Sequence, residues 1–441
     1  MKAGWVWLAS FAVYPLLGAP LLAHAAFRRF GWVARAVLAG GVGAVLLSWT
    51  MTAFALAGWQ WSFLLVVASA GVAFAIRTLI PRVSEPVEDD AGEAGGSRAL
   101  VRIAHLLTVT SLAAAFAATF AARSTSTDLL LFWGPKAQQF AGARTIDAAF
   151  LGAPHLEYLH VYYPPLVTNV FAFNAMIAGR FPWGAATLTF PLLLAATAVA
   201  LFGILSTTRR TSAAAGATAL AISALALQGI RSAVAGNAEP FLLFFEVTAV
   251  ALLLTPAAGT AAVQILAGCL LAGAASAKVE GLPFALAVTV LFLLLERRRA
   301  RPAWRAALRL LAPALVSVAT WFAFGMTRKI FYGYQGYGRA SEFHWDHAAT
   351  ILTAVGIALW KVSYALPFAV PLLVFLLSGR PGRRSLIPLG VAAGITAFLL
   401  LAYLQNPLDP SLWIAWSAAR VLSPVTALLA LASFSAAERA P

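Results

Sequence analysis

The sequence predicts an all-α, polytopic membrane protein with about 13 transmembrane helices. Hydrophobic residues make up 61% of the 441-residue chain and charged residues only 11%, whereas a soluble protein carries roughly 25% charged residues. The apolar residues also form long unbroken runs, while the strands of a membrane barrel alternate apolar and polar side chains. Because a helix satisfies its own backbone hydrogen bonds in lipid, the two observations together favour transmembrane helices.

The apolar runs define the predicted spans. They cover residues 5–27, 36–57, 60–80, 101–122, 186–206, 213–230, 240–255, 260–277, 281–295, 308–326, 364–379, 386–404 and 421–437. Several are shorter than the roughly 20 residues that cross a bilayer, so we expect them to extend into the membrane interface.

The arginines predict the orientation of the chain. Short loops rich in Arg and Lys are typical of the cytoplasmic side. We assign to that side Arg28, Arg29 and Arg35; Arg77, Arg82, Arg98 and Arg102; Arg209 and Arg210; the run from Arg297 to Arg309; and Arg380, Arg383 and Arg384. This placement accounts for the net charge of +15 without invoking nucleic acid. We predict a plasma (inner) membrane protein whose longer, aromatic loops face outward.

The loops divide the chain into three predicted regions. An acidic, Gly-rich loop at 81–100 separates a first group of helices from the rest. The regions are 1–100, with the N-terminal helices and this cytoplasmic loop; 101–300, a core with the first outer loop at 123–185; and 301–441, the C-terminal helices with outer loops at 327–363 and 405–420. Residues 166–179 and 347–361 are predicted amphipathic helices that lie on the outer surface or dip into it.

Ionisable residues at the outer ends of the spans are the candidate functional residues, because charge near lipid is costly. They are Arg123, Asp128, Lys136, Glu157, Arg231, Glu239, Lys278, Glu280 and Arg420. Glu246 lies within a span, two turns after Glu239 and on the same helix face. A carboxylate can accept the proton of a hydroxyl nucleophile, and Arg and Lys can bind a phosphate. The set suits group transfer from a lipid-linked phosphate.

Structural roles are the competing interpretation. Asp128 could cap a helix, Lys278 could extend to the interface, and Arg231 and Arg420 could bind lipid headgroups. The histidines at 155, 160, 344 and 347 have no convincing metal-ligand spacing, although the last two are three residues apart. The sequence therefore indicates no cofactor and no particular metal site, and it leaves dependence on a divalent metal open.

Several segments resemble the GT-C superfamily of membrane glycosyltransferases, which includes the lipid A aminoarabinose transferases and the protein O-mannosyltransferases. The residues are TDLLLFWGPKAQQFAGARTID (127–147), HVYYPPLVTNVFAF (160–173), GNAEPFLLFF (236–245), AKVEGLPFALA (277–287) and LWIAWSAARVLSPVTALL (412–429). They follow the family's order: an Asp soon after a span, a PPL segment, an acidic segment, a K-x-EGL segment and a C-terminal S-x-x-R segment.

The resemblance implies a GT-C-like fold and an inverting transfer of a sugar from a polyprenyl-phosphate donor on the extracytoplasmic face. Asp128 is then the general base. Lys278, Arg231 and Arg420 are implied for the donor phosphate, and Tyr163 for the pocket wall. The remaining candidates for substrate binding are Glu239, Glu280 and Lys136. Expected partners are the lipid-linked donor, a lipid, glycan or protein acceptor, and membrane lipids.

Two other functions fit the same residues. A transporter or flippase of lipid-linked glycans would use the charged cavity for binding alone, with charges near mid-membrane. An O-antigen polymerase or ligase would rely on a basic outer loop, for which Arg328, Lys329 and Arg339 are candidates.

Overall fold

A computed structural model describes ten segments of the chain: residues 2–81, 97–121, 128–207, 211–228, 236–297, 302–331, 342–360, 362–377, 382–405 and 410–437. These residues form helices, turns and loops, with no strand among them. The helices are α1 Lys2–Ser10, α2 Val13–Leu22, α3 Trp32–Leu56, α4 Leu64–Thr78, α5 Arg98–Ala121, α6 Gly134–Ala143, α7 Ala148–Leu151, α8 Leu166–Ala178, α9 Trp183–Ala186, α10 Thr189–Leu205, α11 Thr211–Gln228, α12 Glu239–Leu254, α13 Ala261–Ala277, α14 Gly281–Leu295, α15 Ala303–Thr327, α16 Ala348–Trp360, α17 Val362–Leu377, α18 Leu386–Leu404, α19 Pro410–Val421 and α20 Ser423–Ala437.

The helices confirm an all-α membrane protein. Six helical stretches of the described chain are long and apolar enough to cross a bilayer: Lys2–Leu22, Trp32–Leu56, Arg98–Ala121, Trp183–Leu205, Ala303–Thr327 and Arg383–Leu404. Large apolar side chains of α5 and α15, such as Ile103, Leu106, Leu308 and Phe322, are more than half exposed. Apolar surface of this extent on long helices is the surface that lipid covers.

Each predicted span contains at least one helix. The first is not a single helix, because it is interrupted between Ser10 and Val13. The shorter apolar helices, such as α12 and α14, have 16 and 15 residues and extend about 24 Å or less at 1.5 Å per residue.

Helices α12 and α13 lie at the centre of the bundle. All side chains of α12 are buried, as are those of α13 from Ala262 onward. Small residues allow close approach elsewhere in the bundle. A Cβ atom on Gly43 of α3 would lie 2.0 Å from the carbonyl oxygen of Tyr14 in α2, so only glycine permits that crossing. Buried residues of all three predicted regions join one continuous core.

Helix α8 corrects the expectation of a surface helix at 166–179. Ten consecutive residues, Leu166–Ala175, are buried, and the helix packs against α1, α3 and α6. Its two asparagines bind other helices: Asn169 donates to the carbonyl of Ser48 (3.1 Å), and Asn174 accepts from the hydroxyl of Tyr14 (2.8 Å). Because protein encloses its first ten residues, α8 lies in the interior over most of its length. Helix α16, in the second predicted surface segment, packs against α19.

Candidate functional site

Helix ends converge at one end of the bundle. Helix α12 begins at Glu239, α13 ends at Ala277 and α14 begins at Gly281. The α13–α14 turn is tight: a Cβ atom on Gly281 would lie 2.0 Å from the carbonyl oxygen of Ala274. This turn contains Lys278 and Glu280, and it directs both toward the start of α12. The C-terminal end of α19 adds Arg420.

Five charged side chains form an alternating network at this end. Arg420 Nη1 lies 3.2 Å from Asp128 Oδ2, and Arg420 Nε lies 3.9 Å from Glu239 Oε1. Lys278 Nζ lies 3.1 Å from Glu239 Oε1 and 3.2 Å from Glu280 Oε1. Three carboxylates thus surround two cations, and Glu239 and Lys278 are almost fully buried, with side-chain exposures of 3% and 8%.

Asp128 is positioned by an unusual turn. It immediately precedes a π-helical turn at Leu129–Trp133, and its side chain makes no capping hydrogen bond. Such turns are rare in proteins overall, and those that occur are often found at functional sites. Burial, followed by the charge of Glu239, raises the pKa of Asp128 to about 6, although Arg420 and Lys278 oppose the rise. A carboxylate of this pKa is ionised at pH 7 and is a better base than an ordinary aspartate.

An aromatic cluster borders Asp128. Trp133 stacks on Tyr163 with ring centres 5.8 Å apart, and Tyr163 stacks on His160 at 5.1 Å. Lys136 lies 4.6 Å above the Trp133 ring. Burial lowers the pKa of Lys136 to about 7, although the charge of Asp128 opposes this. Burial, together with the charges of Lys136, Lys278 and Arg420, lowers the pKa of His160 to about 4, so this histidine is neutral at pH 7.

A cleft opens beside the charged network. Its charged wall consists of Glu239, Lys278, Glu280 and Arg420, and Glu246 lies deeper along α12. The other walls are mainly apolar and come from α12, α14, α18 and the start of α20; they include Leu242, Leu243, Phe284, Ala287, Ile395 and Phe398. A mainly apolar cleft with a few convergent polar groups is typical of a ligand site.

The structure brings most of the sequence candidates together. Asp128, Glu239, Lys278, Glu280 and Arg420 form the network itself. Lys136 and Tyr163 lie close enough to interact electrostatically with its members. Arg123, Arg231 and the side chain of Glu157 lie outside the described residues.

The histidines do not assemble into a metal centre. His344 and His347 stack at 5.4 Å, but no group of three His, Cys, Asp or Glu side chains with metal-binding geometry occurs in the part of the chain that the structure describes.

Two arginines of the predicted cytoplasmic side, Arg309 and Arg384, lie at the other end of the bundle. Arg384 donates to the carbonyl of Leu254, where α12 ends, and Arg309 donates to Gln264 near the start of α13. Lys278 follows Gln264 by 14 positions, a distance of about 21 Å along a helix. The charged network and these two arginines therefore occupy opposite ends of the bundle.

Two parts of the site were not predicted from the sequence. His160 was a candidate only as a metal ligand, and the contact between Trp133 and Lys136 was not expected. A lysine three residues after a tryptophan is a weak signal for such a contact, since that spacing brings side chains together on a helix. The position of Glu246 in the wall of the same cleft follows from its seven-residue spacing to Glu239.

Comparison with known proteins finds no matching family model, no similar curated protein and no similar solved structure.

Proposed function

We propose that this protein is a GT-C-type glycosyltransferase with about 13 spans. In this proposal it moves a sugar from a polyprenyl-phosphate donor to an acceptor hydroxyl on the extracytoplasmic face of the plasma membrane. The observation that carries the proposal is the juxtaposition of Asp128, a carboxylate with a pKa of about 6, with two cations at the mouth of a largely apolar cleft. That combination suits a substrate with a phosphate and a hydrocarbon chain.

The residues support an inverting displacement. The acceptor oxygen attacks the anomeric carbon while Asp128 takes the hydroxyl proton, and the bond from that carbon to the phosphate oxygen breaks. The phosphate leaves with the electron pair and is stabilised by Lys278 and Arg420. Arg420 Nε is buried and donates no hydrogen bond to any described residue, so it retains a donor for a phosphate oxygen.

Both cations are already paired with carboxylates, so the phosphate must compete with them. Arg420 can keep Nη1 on Asp128 while it offers Nε, because its guanidinium presents several donors in a fixed fork. Lys278 contacts two carboxylates and has three N–H groups, which leaves one for the phosphate.

A transporter of lipid-linked glycans is the second candidate, and Glu246 is the observation that favours it. This acid lies two turns inside α12 and is buried, as expected for a binding site near mid-membrane. An O-antigen polymerase or ligase has less support. Arg328 of its predicted basic loop donates to the carbonyl of Ala55, and Arg339 lies outside the described residues.

Purified protein in lipid nanodiscs, incubated with radiolabelled polyprenyl-phosphate sugars, tests the proposal. We expect release of the lipid phosphate together with loss of the sugar from the donor. A transporter would instead move the intact donor across vesicle membranes. Failure to release lipid phosphate from a panel of hexose and pentose donors, combined with translocation of the intact donor, would replace the proposal by the transporter.

A further inference from the structure

The deep part of the cleft contains an acid that the displacement does not use. Glu246 follows Glu239 by seven positions on the same face of α12, about 10 Å further from the charged mouth at 1.5 Å per residue. It lines the cleft and is 2% exposed. Its Oε2 atom accepts no hydrogen bond from any residue that the structure describes. A buried carboxyl oxygen in that state is costly unless a ligand supplies a donor.

Hydrocarbon does not supply such a donor. The side chains around Glu246 in the cleft, Leu242, Leu243, Phe284, Ala287 and Phe398, would accommodate a prenyl chain without help from an acid. If the whole cleft held hydrocarbon, Glu246 would be an uncompensated polar group against that chain. A ligand group with O–H or N–H donors removes this conflict.

We infer that Glu246 is a sugar subsite that accepts hydrogen bonds from hydroxyl or amine groups of the sugar ring. The sugar then lies on the inner side of the network, between Lys278 and Glu246, while the phosphate lies against Lys278 and Arg420. The inference rests on the proposed use of lipid-linked sugars and divides the cleft between the two ends of the substrate: the sugar lies beside Glu246, and the hydrocarbon chain follows the apolar side chains of α14 and α18. Glu280, whose Oε2 is also buried and unpartnered among the described residues, lies at the entrance to this subsite.

The test compares donors that differ by one polar group. The probes are polyprenyl-phosphate hexoses and pentoses, their monodeoxy forms and forms with one hydroxyl replaced by an amine. Binding to wild type, Glu246→Gln and Glu246→Leu is measured by competition against a labelled donor, without turnover. Leu243→Ala is the matched control, because it alters the wall of the same cleft without removing a hydrogen-bond acceptor.

We expect wild type to bind one parent donor about 2- to 12-fold more tightly than one of its deoxy forms, the value of a hydrogen bond between uncharged groups. Glu246→Leu removes this discrimination. Glu246→Gln, which retains a carbonyl acceptor of the same size, keeps part of it. Leu243→Ala weakens all donors alike. The amine-substituted donors show whether the preferred sugar is an amino sugar. An amino sugar loses most of its affinity when Glu246 is replaced by Gln, whereas a neutral sugar loses less.

The outcomes separate this inference from the proposed function. Two results would overturn the subsite and leave the transferase. One is sugar transfer by a wild type that binds every deoxy donor as tightly as its parent. The other is full discrimination between parent and deoxy donors by Glu246→Leu. Discrimination that depends on Glu246 without any transfer keeps the subsite and overturns the transferase. Absence of binding of all these donors to wild type overturns both.

Discussion

Replacement of Asp128 by asparagine separates a catalytic role from a structural one. The side chain is about one-fifth exposed, and its Oδ2 accepts from Arg420 Nη1 at 3.2 Å. Asparagine preserves the size and one oxygen acceptor for Arg420 but cannot take a proton. With a pKa of about 6, Asp128 is roughly nine-tenths ionised at pH 7, so the wild type has its base available.

We expect Asp128→Asn to lower the rate of transfer far more than it lowers the free energy of unfolding. Loss of a general base lowers the rate by about 10²- to 10⁴-fold. Asparagine still accepts a hydrogen bond from Arg420, and Arg420 retains Glu239 nearby, so the cost in stability stays below the roughly 3–5 kcal/mol of removing one partner of a buried pair outright. We therefore expect Asp128→Asn to insert, fold and bind donor almost as wild type does while it transfers almost no sugar.

The assay measures release of lipid phosphate from a labelled donor, with donor binding and thermal unfolding in parallel. Asp147→Asn is the matched control: Asp147 lies in the same loop, caps α7 by accepting from the backbone N–H of Phe150, and also accepts from Gln139. The Asp147→Asn variant should lose some stability at most and should keep its transfer activity. Wild-type transfer by Asp128→Asn would refute the assignment of Asp128 as the base.

Three further predictions follow from the same geometry. Lys278→Met should lower transfer about 30- to 1,000-fold and destabilise the protein, because buried Glu239 keeps only its longer 3.9 Å contact with Arg420 Nε. Adding Glu239→Gln should recover stability but not transfer, and recovery of both would make the lysine purely structural. The value of kcat/KM should rise with pH through about 6, because Asp128 is protonated and inactive as a base below that pH; a flat profile between pH 5 and 8 contradicts this. In cells, an impermeant thiol reagent should label Ala149→Cys but not Asp90→Cys, with buried Cys269 silent in the parent; the reverse labelling would invert the orientation.

The helices were predictable because their apolar runs are long and their boundaries carry charge or proline. The interior position of α8 was not, because its composition does not distinguish a helix that faces lipid from one enclosed by protein. Asn169 and Asn174 were the available signal: two amides in an apolar helix require partners, which they find in Ser48 and Tyr14.

The sequence predicted which residues belong to the site, but not which of their side chains contact each other. Sequence order placed Asp128, Glu239, Lys278 and Arg420 near one membrane surface, and the structure joins them in one network. Which carboxylate pairs with which cation depends on how helix ends that are far apart in sequence pack together. The stacked rings around Tyr163 also depend on that packing, since the backbone of His160 adopts a left-handed conformation (φ 49°) that its sequence does not indicate.

During synthesis of the chain, the ion pairs of the charged network become possible at different times. Asp128 and Arg420 are 292 residues apart, whereas Glu239 and Lys278 are only 39 apart. At about 5–20 residues per second, the first interval takes roughly 15–60 s and the second only roughly 2–8 s. Glu239, the more deeply buried acid, thus meets its lysine soon after it is made. Asp128 must wait until nearly all of the chain has been inserted, so a nascent protein that lacks its last two helices already has the base but not the arginine that holds it.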